Sequence, residues 1–553
     1  TNVALHAVAA VLLFLAMQSL TRAWGPAAFM AAAFALHPLH VESVAWISER
    51  RNVLCAVFWM AALWCYAYYG RRPGWLSYLG VVVFHALALM SKPMAVTLPC
   101  VLLLIDVWPL GRLEFRGRST SGNWRTRALR LLLEKIPLLG LSIAAGILSI
   151  LCQRAVGTVA TLESIPFSLR LANAAASYGW YLQKTIWPTG LTCFYPHPAL
   201  IDAAPWQELA APCVVGGIVV AVATVLVLRS RRDKPWLPVG WFWFLGVLAP
   251  MIGLLQVGDQ SRADRYAYLA QVGLFLAAAW TGRSLASRSR QAARRVKLVA
   301  VCALCGWGAA AWQQAAAWHD SISLFSRAIE INGRNHWAHN NLGFALLQQG
   351  NKTEALEHFR AAVAVVPTYV LGHYNLGVCL HELGDRAAAI SQLETSLKYD
   401  PTSAAAHQRL ATVLVETGQM PLALVHFREA VRLLPDDGQA HFNLGLALAR
   451  AGHDREAIGA LRRARDLSWD EVSTLLLLAS ELRKVGEAAK ARATVEELLA
   501  SKPYIADGQF LLGEILRDTG DVAGARERFR EALRLRPNWT PPRKALEKLD
   551  ASR

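Results

Sequence analysis

VLGHYNLGVCLHELGDRAAAISQLETSLKYDPTS, residues 370–403, is one period of a sequence that repeats itself every 34 residues. Glycine returns at Gly350, Gly384, Gly418, Gly452, Gly486 and Gly520, and alanine keeps the same step at Ala355, Ala389, Ala423, Ala457, Ala491 and Ala525. Proline closes the periods at Pro367, Pro401, Pro435, Pro503 and Pro537, with Trp469 standing once in its place. Each period reads as two antiparallel helices. Glycine permits the tight turn between them, alanine lets their backbones approach, and proline stops the second helix before the next period begins. Large apolar residues at Phe359, Leu393, Phe427, Leu461, Val495 and Phe529 occupy one position of the second helix, so each period buries a face only by stacking on its neighbour.

A 34-residue step with small residues at these offsets is the tetratricopeptide-repeat signature. The expected array is an all-α superhelix over residues 318–553, with repeats spanning about 336–539. The half repeat WHDSISLFSRAIEIN caps it in front and the polar helix PPRKALEKLD caps it behind. Its first helices carry Asn341, Asn375 and Asn443 at equivalent positions. An amide donates and accepts at once, so this row is a candidate clamp for an extended peptide backbone, and it resembles the asparagine ladder of O-GlcNAc transferases. The alternative is that the three are solvated surface. His339, His373, His407 and His441 recur at the same step. Repeats stack on the order of 10 Å apart, too far to share a metal ion at bond lengths of about 2 Å, so the histidines read as packing residues.

The whole chain of 553 residues is 54% hydrophobic with a mean hydropathy of +0.29, although the repeats are polar. The apolar excess therefore lies in residues 1–317. Runs of about 17–25 apolar residues, enough to cross a bilayer, occur near 3–20, 24–41, 52–69, 75–91, 94–110, 131–153, 210–229, 236–256, 266–282 and 298–317, which gives about ten spans. Arg71 and Arg72, the segment 111–130, the run Arg229 to Lys234 and the segment Arg283 to Lys297 fall between alternate pairs of spans, on the side that the positive-inside rule makes cytoplasmic. The loops at HPLHVES, SKP, FYPHP and SRADRY, and the repeat array, then face outward. LANAAASYGWYLQKTIWP suits an interfacial amphipathic helix better than a span.

The start TNVALHA, without methionine, reads as internal, so an earlier span and outer loop are expected to precede it. The net charge of +17 is accounted for by loops facing lipid headgroups, and no nucleic-acid partner is implied. Nine cysteines form no pattern of a zinc site or a disulfide framework.

Ionisable residues gather at the outward span ends: His37, His40, Glu42, Glu49, Arg50 and Arg51 in HPLHVESVAWISERRN, Lys92 in MSKPM, Tyr195 and His197 in FYPHP, and Asp259, Arg262, Asp264 and Arg265 in GDQSRADRY. Such groups at membrane depth are costly and mark function. Cations of this kind suit a phosphate leaving group, and a carboxylate suits the proton of an acceptor hydroxyl. Against this, His37 and Pro38 could simply end a helix, and Arg50 and Arg51 could snorkel to headgroups.

At these residues the chain resembles the transmembrane and tetratricopeptide-repeat O-mannosyltransferases and their bacterial relatives. The family pattern H-P-x-H-x-E-x-V-A is met by His37, Pro38, His40, Glu42, Val44 and Ala45, and its following arginine by Arg50. The pattern A-E-R-x-x-Y-x-P-S is met by Ala263, Asp264, Arg265 and Tyr268, with Ala270 and Gln271 replacing the last two residues, and the S-K pair by Ser91 and Lys92.

The resemblance implies a helical membrane domain like that of C-type glycosyltransferases, moving a sugar from a polyprenyl or dolichyl phosphate carrier to protein hydroxyls. Glu42, His37, His40 and Asp264 are then the supporting residues of catalysis, and Arg50, Lys92, Arg265 and Tyr268 bind the donor. The essential acidic residue of such folds lies in a first outer loop expected ahead of residue 1. Partners are membrane lipid, the lipid-linked sugar, and an acceptor protein or peptide in the repeat groove. Participation of a divalent metal is left open, and no metal ligands are assigned. The location implied is the bacterial inner membrane with periplasmic repeats, or the endoplasmic reticulum membrane with lumenal repeats. The competing reading is a membrane-anchored scaffold without catalysis.

Overall fold

The computed structural model describes residues 1–113, 124–155, 165–201 and 204–551, so part of the basic segment 111–130 lies outside the described residues. The described residues are almost wholly helical. The exception is a short antiparallel pair in which Tyr195 lies opposite Arg262 and Pro196 opposite Gln260. Two compact units result, Thr1–Ala345 and Leu346–Arg553.

In the second unit the helix pairs fall where the 34-residue step places them, for example Val370–Glu382 with Arg386–Tyr399 and Ala404–Glu416 with Met420–Leu433. The turn glycines Gly384, Gly418, Gly452, Gly486 and Gly520 all have φ between 76° and 88°, a conformation open to glycine but costly for other residues. Ala389, Ala423, Ala457, Ala491 and Ala525 are fully buried at the helix contacts. A Cβ at Gly377 would come within 2.8 Å of Leu393, and one at Gly445 within 2.7 Å of Leu461. Small residues there set the spacing of the pair.

The recurring histidines do more than pack. His373 Nε2 lies 2.9 Å from the carbonyl of Pro367, His407 Nε2 3.2 Å from Pro401 O, and His441 Nε2 3.0 Å from Pro435 O. Each imidazole donates to the proline that closes the preceding repeat. Gln509 to Pro503 (3.1 Å) and Arg543 to Pro537 (3.0 Å) do the same at the equivalent offset. Where Trp469 replaces proline, Leu475 stands at the histidine position, and Thr474 Oγ1 supplies the bond instead, donating to Trp469 O at 2.8 Å. At this substitution Ser468 (φ 57°) and Asp470 (φ 27°) adopt positive φ. In the fragment 346–553, His407→Ala should cost about 1 kcal/mol, the net worth of one hydrogen bond, read as a lower denaturation midpoint. Gln at 407 should retain most of it, and equal loss in both variants would refute the bond.

Among the described residues of the first unit five helices are long and apolar enough to cross a membrane: Asn2–Thr21, Ile47–Arg71, Arg125–Ala155, Pro205–Arg229 and Arg290–Ala316. Trp24–Leu36 and Pro38–Ala45 form a pair bent by 55°, and Trp75–Ser91, Pro93–Val107 and Trp236–Met251 are shorter apolar helices. About ten spans were expected, and several of those runs are divided between shorter helices. Proline explains two of the breaks: His37 (ψ 131°) and Lys92 (ψ 132°) are extended, as the residue before proline prefers, and a new helical turn starts at Pro38 and at Pro93.

The helix expected at the interface, Phe167–Ile186, packs backbone to backbone on Pro205–Arg229. A Cβ at Gly216 would lie 2.2 Å from Ala175 O, and one at Gly179 2.9 Å from Gly216 Cα.

A buried charge network absent from the sequence reading ties Trp124–Ala155 to its neighbours. Lys135 Nζ bonds Asp106 Oδ2 at 2.9 Å and Glu134 Oε1 at 2.6 Å, Arg112 bonds Asp106 at 2.9 Å and Glu134 at 2.6 Å, and Tyr66 Oη donates to Asp106 at 2.7 Å. Lys135 and Asp106 are fully buried.

The first unit also includes the cap helix Ser321–Ile331 and residues up to Ala345. Cys193 and Phe194 form a small core with Ala328 and Ala338, which joins these helices to the loop before Tyr195.

Candidate functional site

The two proline breaks and the short sheet deliver four charged side chains to one place. Pro38 starts the turn that leads into Val41–Ala45, which carries Glu42; Ile47–Glu49 carries Glu49; Lys92 stands at the second break; and the single turn Asp264–Tyr266 carries Arg265. Glu42 holds both parts of Arg265. Its Oε2 accepts from the backbone N–H of Arg265 at 2.7 Å, and its Oε1 accepts from Arg265 Nη1. Glu49 Oε2 accepts from Lys92 Nζ at 3.0 Å, while Glu49 Oε1 lies 3.7 Å from Arg265 Nε and 3.8 Å from Arg51 Nη2. The Arg265 guanidinium sits 5.4 Å from the ring centres of both Trp46 and Tyr266. Glu42 and Glu49 are 1% and 2% exposed, so both carboxylates are held by these cations rather than by solvent.

Beside them opens a cavity of about 400 Å³. Its polar end is lined by Glu49, Arg51, Lys92, Arg265, Gln256 and Gln260, and its apolar wall by Met94, Val96, Ile150, Met251 and Leu255. The combination suits a ligand with a charged head and a hydrocarbon portion.

Burial lifts the Asp264 carboxyl well above the usual carboxylate range, and the charge of Glu42 adds to the lift. Burial also works against the charge on Arg265, but Glu42, with Tyr266 and Glu49, more than offsets it and holds the guanidinium above the ordinary arginine value. Tyr195 is raised first by burial and then by Asp264.

Several residues expected in the site lie elsewhere. Arg50 is exposed and does not line the cavity, whereas Arg51 does. Adjacent helical residues point about 100° apart, and spacing alone could not choose between them. His37, His40 and Tyr268 are core residues. His37 Nε2 lies 3.1 Å from Thr185 O, His40 Nδ1 2.6 Å from Phe34 O, and Tyr268 Oη 2.6 Å from His6 Nδ1. Asp264 faces Tyr195, whose hydroxyl donates to Asp264 Oδ1 at 2.8 Å.

Of the three asparagines, Asn341 Nδ2 donates to Trp337 O of its own helix at 2.7 Å, Asn375 is buried, and Asn443 is half-buried. Gln256, Gln260 and Tyr266 were not singled out by sequence, because neutral side chains in a loop carry no signal of their own. Among the described residues no three His, Cys, Asp or Glu gather as metal ligands would.

The tetratricopeptide-repeat family matches residues 307–370, 340–406, 374–437, 409–472 and 476–538. The chain is 23% identical over 371 residues to protein O-mannosyl-transferase Tmtc3 of Drosophila melanogaster, covering 60% of this chain and 40% of that protein. It is 23% identical over 358 residues to protein O-mannosyl-transferase TMTC4 of Mus musculus, covering 59% of this chain and 48% of that protein. The match thus spans less than half the length of these relatives. Among solved structures, PilF of Pseudomonas aeruginosa matches 40% of this chain and all of its own length at 22% identity and a TM-score of 0.34. YrrB, described as a repeat protein with an unusual peptide-binding site, matches 41% of this chain and 99% of its own at 20% identity and a TM-score of 0.28. The chain carries a tetratricopeptide-repeat array and is similar, over about 60% of its length, to the protein O-mannosyl-transferases.

Proposed function

We propose that this protein is a membrane glycosyltransferase that moves a sugar, mannose by analogy with its relatives, from a polyprenyl or dolichyl phosphate to hydroxyls of a protein held by the repeat array. The observation that carries this reading is the gathering of Arg51, Lys92 and Arg265 around Glu49 at the polar end of a cavity with an apolar wall. As the bond from sugar to phosphate breaks, negative charge grows on the phosphate. Arg265 offers it a planar fork and Lys92 a compact point charge. Glu42 and Glu49 aim these cations before substrate arrives, so little reorganisation is needed as the charge develops.

On this reading the chain is a membrane protein whose cavity and repeats face the outer compartment, the periplasm of a bacterium or the lumen of the endoplasmic reticulum; the long apolar helices support it. Asn341, Asn375 and Asn443 are assigned to holding the acceptor chain.

The test is binding of polyprenyl phosphate to the full chain in nanodiscs. Lys92→Met should weaken it about tenfold or more, the worth of a charge-assisted hydrogen bond. Wild-type protein that binds no polyprenyl phosphate, or a Lys92→Met variant that binds it unchanged, would overturn the reading.

A further inference from the structure

The loop 191–197 joins two neighbourhoods of the first unit. On one side it meets the helices at the start of the repeats. The ring of Phe194 stacks on Trp337 with centres 4.9 Å apart and planes at 20°. Asn335 Nδ2 donates to Phe194 O at 3.1 Å, and Gln314 Nε2 to Leu191 O at 3.3 Å. On the other side the next residue, Tyr195, pairs with Arg262 in the short sheet, and its ring meets Trp180 edge-on at 5.1 Å. Its hydroxyl accepts from Thr192 N at 3.0 Å and donates to Asp264 Oδ1 at 2.8 Å. Asp264 opens the turn that carries Arg265.

Asp264 and Glu42 are neighbouring buried carboxylates, 1% exposed each, and Arg265 lies within reach of the field of both. The Arg265 guanidinium hydrogen-bonds Glu42 and lies 3.7 Å from Glu49, toward the cavity. Among the described residues Tyr195 is the donor that reaches the Asp264 side chain. Without that hydroxyl, a buried acceptor is left unmet, and a buried acceptor seeks the nearest cation.

We propose that Tyr195 is a positioning residue: its hydroxyl occupies Asp264 and so leaves Arg265 to Glu42 and the cavity, and the stacking of its neighbour Phe194 on Trp337 makes this setting depend on how the first helices of the array are seated. The chemistry affected rests on the glycosyltransferase reading; the coupling between Tyr195, Asp264 and Arg265 does not.

The test uses the full chain in nanodiscs with a polyprenyl-phosphate sugar and an acceptor peptide. Tyr195→Phe keeps the ring against Trp180 and removes only the hydroxyl. It should slow transfer about tenfold at saturating substrates, the net worth of one hydrogen bond. In an Asp264→Asn background the same change should have no further effect. Additive losses would show that Tyr195 does not act through Asp264 and would overturn the proposal.

A second arm needs no catalysis. Amide exchange over residues 260–266 should accelerate in Tyr195→Phe and in Trp337→Ala, with protection elsewhere unchanged. Exchange unmoved by Trp337→Ala would remove the dependence on the array, and exchange unmoved by Tyr195→Phe would sink the positioning role. Wild-type protein that binds no polyprenyl phosphate would overturn the reading of function, with the exchange arm still deciding whether Tyr195 sets Arg265.

Discussion

Arg265→Ala is expected to lower sugar transfer by roughly 30- to 1000-fold, the loss of about 2–4 kcal/mol of interaction with charge that develops on the phosphate. The arginine is placed for this by three independent constraints: its backbone N–H on Glu42, its guanidinium on the same carboxylate, and the rings of Trp46 and Tyr266 on either hand. The substitution also leaves Glu42 buried without its partner, so expression level and melting temperature are measured alongside rate. Arg265→Lys separates the two effects. It keeps a charge for Glu42 and loses the planar fork, and should restore stability more fully than transfer. Transfer that survives in Arg265→Ala, or returns completely in Arg265→Lys, would mean that the phosphate is bound elsewhere.

The largest effect on stability should come from the other end of the first unit. Asp106→Ala leaves Lys135, itself fully buried, with Glu134 as its remaining carboxylate while Arg112 competes for the same group. Removing one partner of a buried pair costs about 3–5 kcal/mol, seen here as a large fall in the melting temperature of the purified chain. Adding Lys135→Met to Asp106→Leu should recover most of the loss, because two apolar side chains replace the pair and Glu134 with Arg112 remains balanced. A double variant no better than Asp106→Ala would show that the lysine had been satisfied from another source.

The array was legible because each recurring residue has one stereochemical task. A glycine that must take φ near 80° or an alanine with no room for a second carbon recurs wherever the geometry recurs. The histidine row was half legible. Its partner is a backbone carbonyl, which no sequence displays. In the first half, proline marked the breaks, and the breaks are where Glu42 and Lys92 stand. Which neighbour of a pair faces the cavity, Arg50 or Arg51, depends on the phase of a helix that starts after an irregular turn. The link from Glu49 to Lys92 bridges 43 positions and that from Asp106 to Lys135 bridges 29, and neither leaves a local pattern. His37, His40 and Tyr268 were drawn to the site by the family motifs, but His37 Nε2, His40 Nδ1 and the Tyr268 hydroxyl each meet a partner inside the core.

The turn at Ser468 to Asp470 has a mechanical meaning. Stacked repeats carry a pulling load in series, so every junction feels the same force and the least secure one yields first. Most junctions in this array pair a proline stop with a side-chain bond six residues on. This one holds two residues other than glycine in left-handed backbone, at a cost of about 1–2 kcal/mol each. Under tension this junction is expected to part first, seen as the earliest rupture in force–extension traces of the fragment 346–553.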